Sequence, residues 1–110
     1  MAVNTTAALQ PMFDEDGLLI NVEMWNEDLA RAIARRHDIG ELGAEHWEVI
    51  HALREHYARH GVAPAMSQIC HRHHKDRHWV HDLFHTCLDA WRVAGLPNPG
   101  EEAKSYLSDT

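Results

Sequence analysis

Apolar positions recur at helical spacing along most of the chain. Between about Glu23 and Arg36, Trp25, Leu29, Ala32 and Ile33 fall on one face at i, i+4, i+7 and i+8, which predicts a first helix. Gly40 and Gly43 interrupt the pattern. A second helix is predicted from about Ala44 to His60, with Trp47, Ile50, Leu53 and Tyr57 as its stripe and Gly61 as its left-handed stop. His46 falls inside that stripe and reads as a partly buried, hydrogen-bonded histidine. Pro64 suits the opening turn of a third helix that carries Met66, Ile69 and Cys70 inward. Residues 71–78 are polar, and a break is expected near Lys75–Arg77. The fourth helix is predicted from about His78 to Ala94, with Val80, Leu83, Cys87, Trp91 and Ala94 on one face. Gly95 and then Leu96-Pro97-Asn98-Pro99-Gly100 end it, because proline cannot continue a helix.

Ahead of the helices, Met12-Phe13-Asp14-Glu15-Asp16-Gly17-Leu18-Leu19-Ile20 has the pattern of a β-hairpin. Asp16-Gly17 is a favoured two-residue turn, and its flanks are apolar. Residues 1–11 are expected to form a flexible arm, residues 12–100 the folded domain and residues 101–110 a polar, mobile tail. The expected fold is therefore mainly α. It is a small bundle of four to five helices with a short N-terminal β-hairpin and a flexible C-terminal arm.

Charge narrows the function classes. Lys and Arg total 10 against 17 Asp and Glu, a formal charge of −7 with histidine neutral. A binder driven by nucleic-acid phosphates needs clustered Lys and Arg. The third and fourth helices can be read as a helix-turn-helix, with Arg72, Lys75 and Arg77 near its turn, but the acidic balance argues against specific nucleic-acid binding. Eleven histidines make the surface charge steeply pH-dependent below about pH 6.5. No apolar window approaches the roughly 18 residues of a membrane span, so no membrane insertion is expected. Met1 to Gln10 lack the basic flank and apolar run of a signal peptide, which points to the cytoplasm. Cys70 and Cys87 are too few for a disulfide framework and form no Cys-x-x-Cys pair.

A set of words is more specific than any of this. Phe13-Asp14-Glu15-Asp16-Gly17-Leu18-Leu19, Trp25-Asn26-Glu27, His46-Trp47-Glu48-Val49-Ile50, Leu53-Arg54 and Ala94-Gly95-Leu96-Pro97 follow one another in this order. Over residues 12–100, this order and spacing resembles the TusE/DsrC/DsvC family of sulfur-relay proteins. The resemblance implies a small helical fold with a flexible C-terminal arm. It also implies sulfur carried as a persulfide or trisulfide on arm cysteines, in tRNA thiolation or beside dissimilatory sulfite reductase. Such transfer needs an exposed, mobile thiolate.

The chain departs from the family at those positions. Counted from Pro99, the family's penultimate cysteine falls on Glu102, and the inner arm cysteine falls on Trp91. Basic family positions after the proline become Ser67 and His71, and the segment from Pro64 to Phe84 is several residues shorter than in typical members. Cys70 and Cys87 share faces with apolar neighbours, where thiolates are disfavoured. The resulting expectation is a family member without carrier cysteines. It is non-enzymatic and needs no cofactor, and it acts as a docking, regulatory or structural partner in a sulfur-transfer or sulfite-reductase-type complex. Its partner-binding positions are Ser67, His71, Trp91, Gly95, Leu96, Pro97 and Glu102. Two alternatives stand beside this reading. One is a sulfurtransferase using Cys87 or Cys70. The other is a metal-binding or sensing module on the His74/His78 and His81/His85 pairs, whose i, i+4 spacing suits imidazole ligation on one helix face. No closed ligand set accompanies those pairs, and no metal site is expected.

Overall fold

The computed structural model describes residues 11–109; the expected arm falls almost wholly outside them. A short 3-10 turn, Val22–Met24, precedes six α-helices: α1 (Glu27–Arg36), α2 (Ala44–His60), α3 (Met66–Arg72), α4 (Trp79–Phe84), α5 (Cys87–Val93) and α6 (Glu101–Ser108). α5 is the hub and packs against α1, α2, α4 and α6. It contributes Cys87, Leu88, Ala90, Trp91 and Val93 to a core completed by Leu18, Ile33, Ile50, Leu53, Ile69, Phe84 and Leu107. No described helix is long and apolar enough to cross a membrane.

α2 has the bounds its apolar stripe predicts, and Gly61 closes it in the left-handed conformation at φ 68°. His46 is half-buried as expected. Its Nδ1 accepts the Gly43 N–H at 3.0 Å, which leaves Nε2 to donate to the Leu83 carbonyl at 3.1 Å. That pairing selects the Nε2–H tautomer. The break after α3 also falls where expected. His74 takes φ 59°, and the Lys75 N–H turns back to the Cys70 carbonyl at 2.8 Å.

Four expectations need correction. The hairpin is absent. Among the described residues there is no strand, only one antiparallel bridge between Phe13 and Leu19. Asp14 explains this: its carboxylate accepts the N–H groups of Asp16 at 2.8 Å and Leu18 at 3.0 Å, so a side chain satisfies the backbone that a strand would have paired. Leu18 and Leu19 are also both buried, whereas successive strand residues face opposite sides. The first helix begins later than predicted, because Asn26 caps it by accepting the Leu29 N–H at 2.8 Å.

The long fourth helix is two. His85 has φ 75°, and Thr86, in extended conformation, accepts the Asp89 N–H at 3.0 Å as the cap of α5. Finally, the polar tail is an ordered helix. In α6 the Leu107 side chain is fully buried, Tyr106 donates its hydroxyl to the Pro64 carbonyl at 3.3 Å, and Lys104 reaches Asp16 at 2.7 Å. An isolated eight-residue helix is not stable in water. Burying one leucine contributes about 1.5–3 kcal/mol, enough to anchor this one.

Candidate functional site

The Ala94-Gly95-Leu96-Pro97 word is a turn gripped from three sides. Trp91, fully buried, donates its indole N–H to the Pro97 carbonyl at 2.7 Å and meets Tyr57 edge-on with ring centroids 5.9 Å apart. Trp25 donates its indole N–H to the Val93 carbonyl at 3.0 Å. Arg54 donates to the Ala94 carbonyl at 2.7 Å, and its guanidinium stacks over the Trp25 ring at 4.0 Å. Burial pushes the Arg54 pKa down from its ordinary value. Gly95 sits at φ 69°, and a β-carbon there would lie 1.9 Å from Trp25 Cδ1. Only glycine fits both the backbone and the ring.

The N-terminal loop is tied to the same region. Arg92 donates to the Asp16 carbonyl at 2.8 Å and pairs with Asp89 at 2.6 Å, while Asn98 donates to Asp14 at 3.4 Å. Burial opposes the charge on Asp14. The N–H groups of Leu18 and Asp16, the Asn98 amide and Lys104 outweigh it, so its pKa lies below the usual carboxylate value.

Ser67 and His71 lie elsewhere, exposed on α3. They line an open groove of about 700 Å³ with Arg72, Lys75 and Arg77. Cys70 closes the floor; it is 1 % exposed, and its thiol points at the Arg77 carbonyl, 3.7 Å away. A second cleft, of about 760 Å³, runs between α3, α4 and α6. Met66, Arg77, His78, His81 and Tyr106 line it, with Cys87 in its wall. Cys87 is 3 % exposed. Both cysteines are free thiols.

The seven expected partner-binding residues are therefore split. Ser67 and His71 share the groove. Trp91, Gly95 and Leu96 are buried, and Trp91 and Gly95 hold the turn from inside, while Pro97 is half-buried. Glu102 is exposed in the first turn of α6. The paired roles of Trp25 and Arg54 were not read from sequence: Trp25, placed on the first helical stripe, lies ahead of α1, and Arg54 lies off the apolar stripe of α2.

The histidine pairs do not form helix-face sites. His74 lies beyond α3 and His78 before α4, while His85 follows the end of α4. His73 is paired with Glu48 at 2.7 Å. On α2 the His56 and His60 rings are 4.5 Å apart; burial first, then His60 and Arg72, pull the His56 pKa down. Among the described residues no group of three His, Cys, Asp or Glu comes together that could hold a metal ion.

The comparisons with known proteins agree with this architecture. The family model described as "DsrC like protein" matches residues 5–101. The sulfurtransferase TusE homolog of Haemophilus influenzae is 35% identical over 97 residues, covering 80% of this chain and 88% of that protein. The dissimilatory-type sulfite reductase gamma subunit of Nitratidesulfovibrio vulgaris is 26% identical over 88 residues, 78% of this chain and 84% of that protein. Among solved structures, the oxidized gamma subunit of dissimilatory sulfite reductase (DsrC) from Archaeoglobus fulgidus superimposes with a TM-score of 0.71 at 35% identity, covering 83% of this chain and 90% of that one. With the family match spanning most of its length, this chain belongs to the DsrC-like family.

Proposed function

We propose that this chain serves a sulfur-transfer or sulfite-reductase-type assembly in the cytoplasm as a docking protein, without carrying sulfur on its C-terminal arm. The observation behind this reading is the placement of its thiols. The family's arm positions hold Glu102 and Trp91, and both cysteines lie in the interior. A carboxylate forms no persulfide, and a buried thiol does not reach a donor. Docking needs a folded surface rather than a thiol, and the chain keeps the family fold.

The test pairs two measurements on the intact protein. After incubation with a persulfide-loaded donor, mass spectrometry is expected to find no sulfur adduct. In a binding assay, the sulfur-relay complex of the same organism is expected to retain the chain, and Cys87→Ser to be retained equally. Failure to bind any such complex overturns the docking reading.

A second reading is sulfur relay through Cys87, in keeping with relatives named as sulfurtransferases. The cleft wall favours it, because Cys87 lies beside Tyr106 of α6. Displacing that helix would open the cleft. In this reading the Cys87 thiolate attacks the outer sulfur of the donor persulfide and the donor thiolate leaves. A sulfur adduct that maps to Cys87 in the folded protein and passes to an acceptor would establish it.

A further inference from the structure

From the groove on α3 we infer the chemistry of what docks there: an acidic segment of a partner protein, held by Arg72, Lys75 and Arg77. The inference rests on the docking reading and deepens it. Its basis is a contrast in how the cations of this acidic chain are used. Arg31 is paired with Glu27 and Asp28, Arg59 with Glu55, Arg92 with Asp89, and Lys104 with Asp16 and Glu101. Among the described residues, Arg35 and Arg36 on α1 are exposed and without an ion pair as well, but Arg72, Lys75 and Arg77 are three such cations that line one groove.

Asp76, between two of these cations, is not part of the groove lining, and Asp109 shares the adjacent cleft with Arg77. Asp76 accepts the His78 N–H at 2.8 Å, and Glu48 holds His73. The Lys75 ammonium lies over the Trp79 ring at 5.5 Å, which positions it at the groove while the residue stays exposed. No carboxylate lines the groove, and Ser67, Gln68 and His71 add hydrogen-bonding groups along it. Three cations without an ion pair among the described residues, converging on one groove of a chain of formal charge −7, form a surface complementary to carboxylates.

Size favours a short peptide over nucleic acid. α3 has seven residues, so the groove beside it extends for about 10 Å. An extended peptide covers that distance with about three residues. Three cations match two or three carboxylates on such a segment. A nucleic acid would meet only about as many phosphates before running onto the acidic remainder of the surface, too few for the salt-driven affinity such binders depend on.

The experiment uses the intact chain and fluorescence anisotropy with a labelled glutamate-rich peptide. The peptide is expected to bind at low salt and to weaken as NaCl rises. Affinity is expected to fall by about tenfold or more in Arg72→Glu/Lys75→Glu/Arg77→Glu and to be unchanged in Arg31→Glu/Arg35→Glu. The corresponding triple glutamine variant repeats the test should charge reversal disturb folding. Equal binding of a serine-for-glutamate control peptide overturns the inference, as does an unaffected triple variant. So does displacement of the peptide by millimolar phosphate, which would make the groove a simple anion site. Tighter binding of a single-stranded oligonucleotide of the same charge overturns it in favour of nucleic acid. If the triple variant docks onto the partner complex as well as the native chain does, the groove assignment falls and docking stands. If neither docks while the peptide still discriminates, docking falls and the groove assignment stands.

Discussion

The Ala94–Pro97 turn and the α3 groove are built from opposite materials. At the turn, two indoles and a guanidinium donate to three backbone carbonyls, and a glycine is required by contact with a ring. At the groove, long cationic side chains project from a helix end and a loop, and little in the molecule holds them. The turn is one of the words that carry the family resemblance. The groove holds Ser67 and His71, where the resemblance implies basic residues. The contrast separates what keeps the fold from what is free to choose a partner. A family word can be recognisable because it is structural, and then it says little about whom the protein binds.

Mutations at the two regions test this separation, beginning with the largest effect. Trp91→Ala removes a fully buried indole and its bond to Pro97, and should cost about 3–5 kcal/mol in chemical denaturation. Gly95→Ala combines a left-handed backbone with a β-carbon inside the Trp25 ring, and should cost about 2–4 kcal/mol. A loss under about 0.5 kcal/mol at either site would show that the turn is not the structural anchor described.

A smaller effect should follow acidification. Asp14 has a folded-state pKa below its unfolded value, so its contribution is present above that unfolded value, about pH 4, and is lost as pH falls through the folded value. Asp14→Asn should flatten that acid limb, measured by thermal unfolding across pH 2–6. The smallest effect belongs to the groove. Arg72→Gln, Lys75→Gln and Arg77→Gln should each change stability by no more than about 0.5 kcal/mol, because the three side chains are exposed and unpaired within the fold. A larger loss would show that the groove cations serve the fold after all.

Much of the fold was legible because periodic burial drives it. α2 could be read to both ends from its stripe and from Gly61. The departures arose where a single side chain decides the backbone. Asp14 took the N–H groups that a hairpin needed, and Thr86 with Asp89 three residues on cut one predicted helix into two. The Thr-x-x-Asp spacing was a visible capping signal, hidden by a stripe that continued through it. α6 was missed because its burial depends on one leucine in a polar segment, too little for periodicity to register. At the site, the charges Arg72, Lys75 and Arg77 were visible in sequence. Their convergence was not, since it depends on His74 adopting a left-handed backbone and turning the loop back on α3. The burial of Trp91, by contrast, followed directly from its place on the apolar stripe.

The bond between Lys104 and Asp16 joins residues 88 apart, and that between Asn98 and Asp14 residues 84 apart. During synthesis, at about 5–20 residues per second, the loop at Asp14–Leu18 therefore waits roughly 4–18 seconds before its partners have been made. Over that interval Leu18 and Leu19, both buried in the finished protein, belong to a loop without its Asn98 and Lys104 anchors. The nascent chain thus displays an apolar, unpaired segment until those later residues have been made. Chaperone engagement and early proteolysis should concentrate there, and slower translation through the later helices should lower the yield of folded protein.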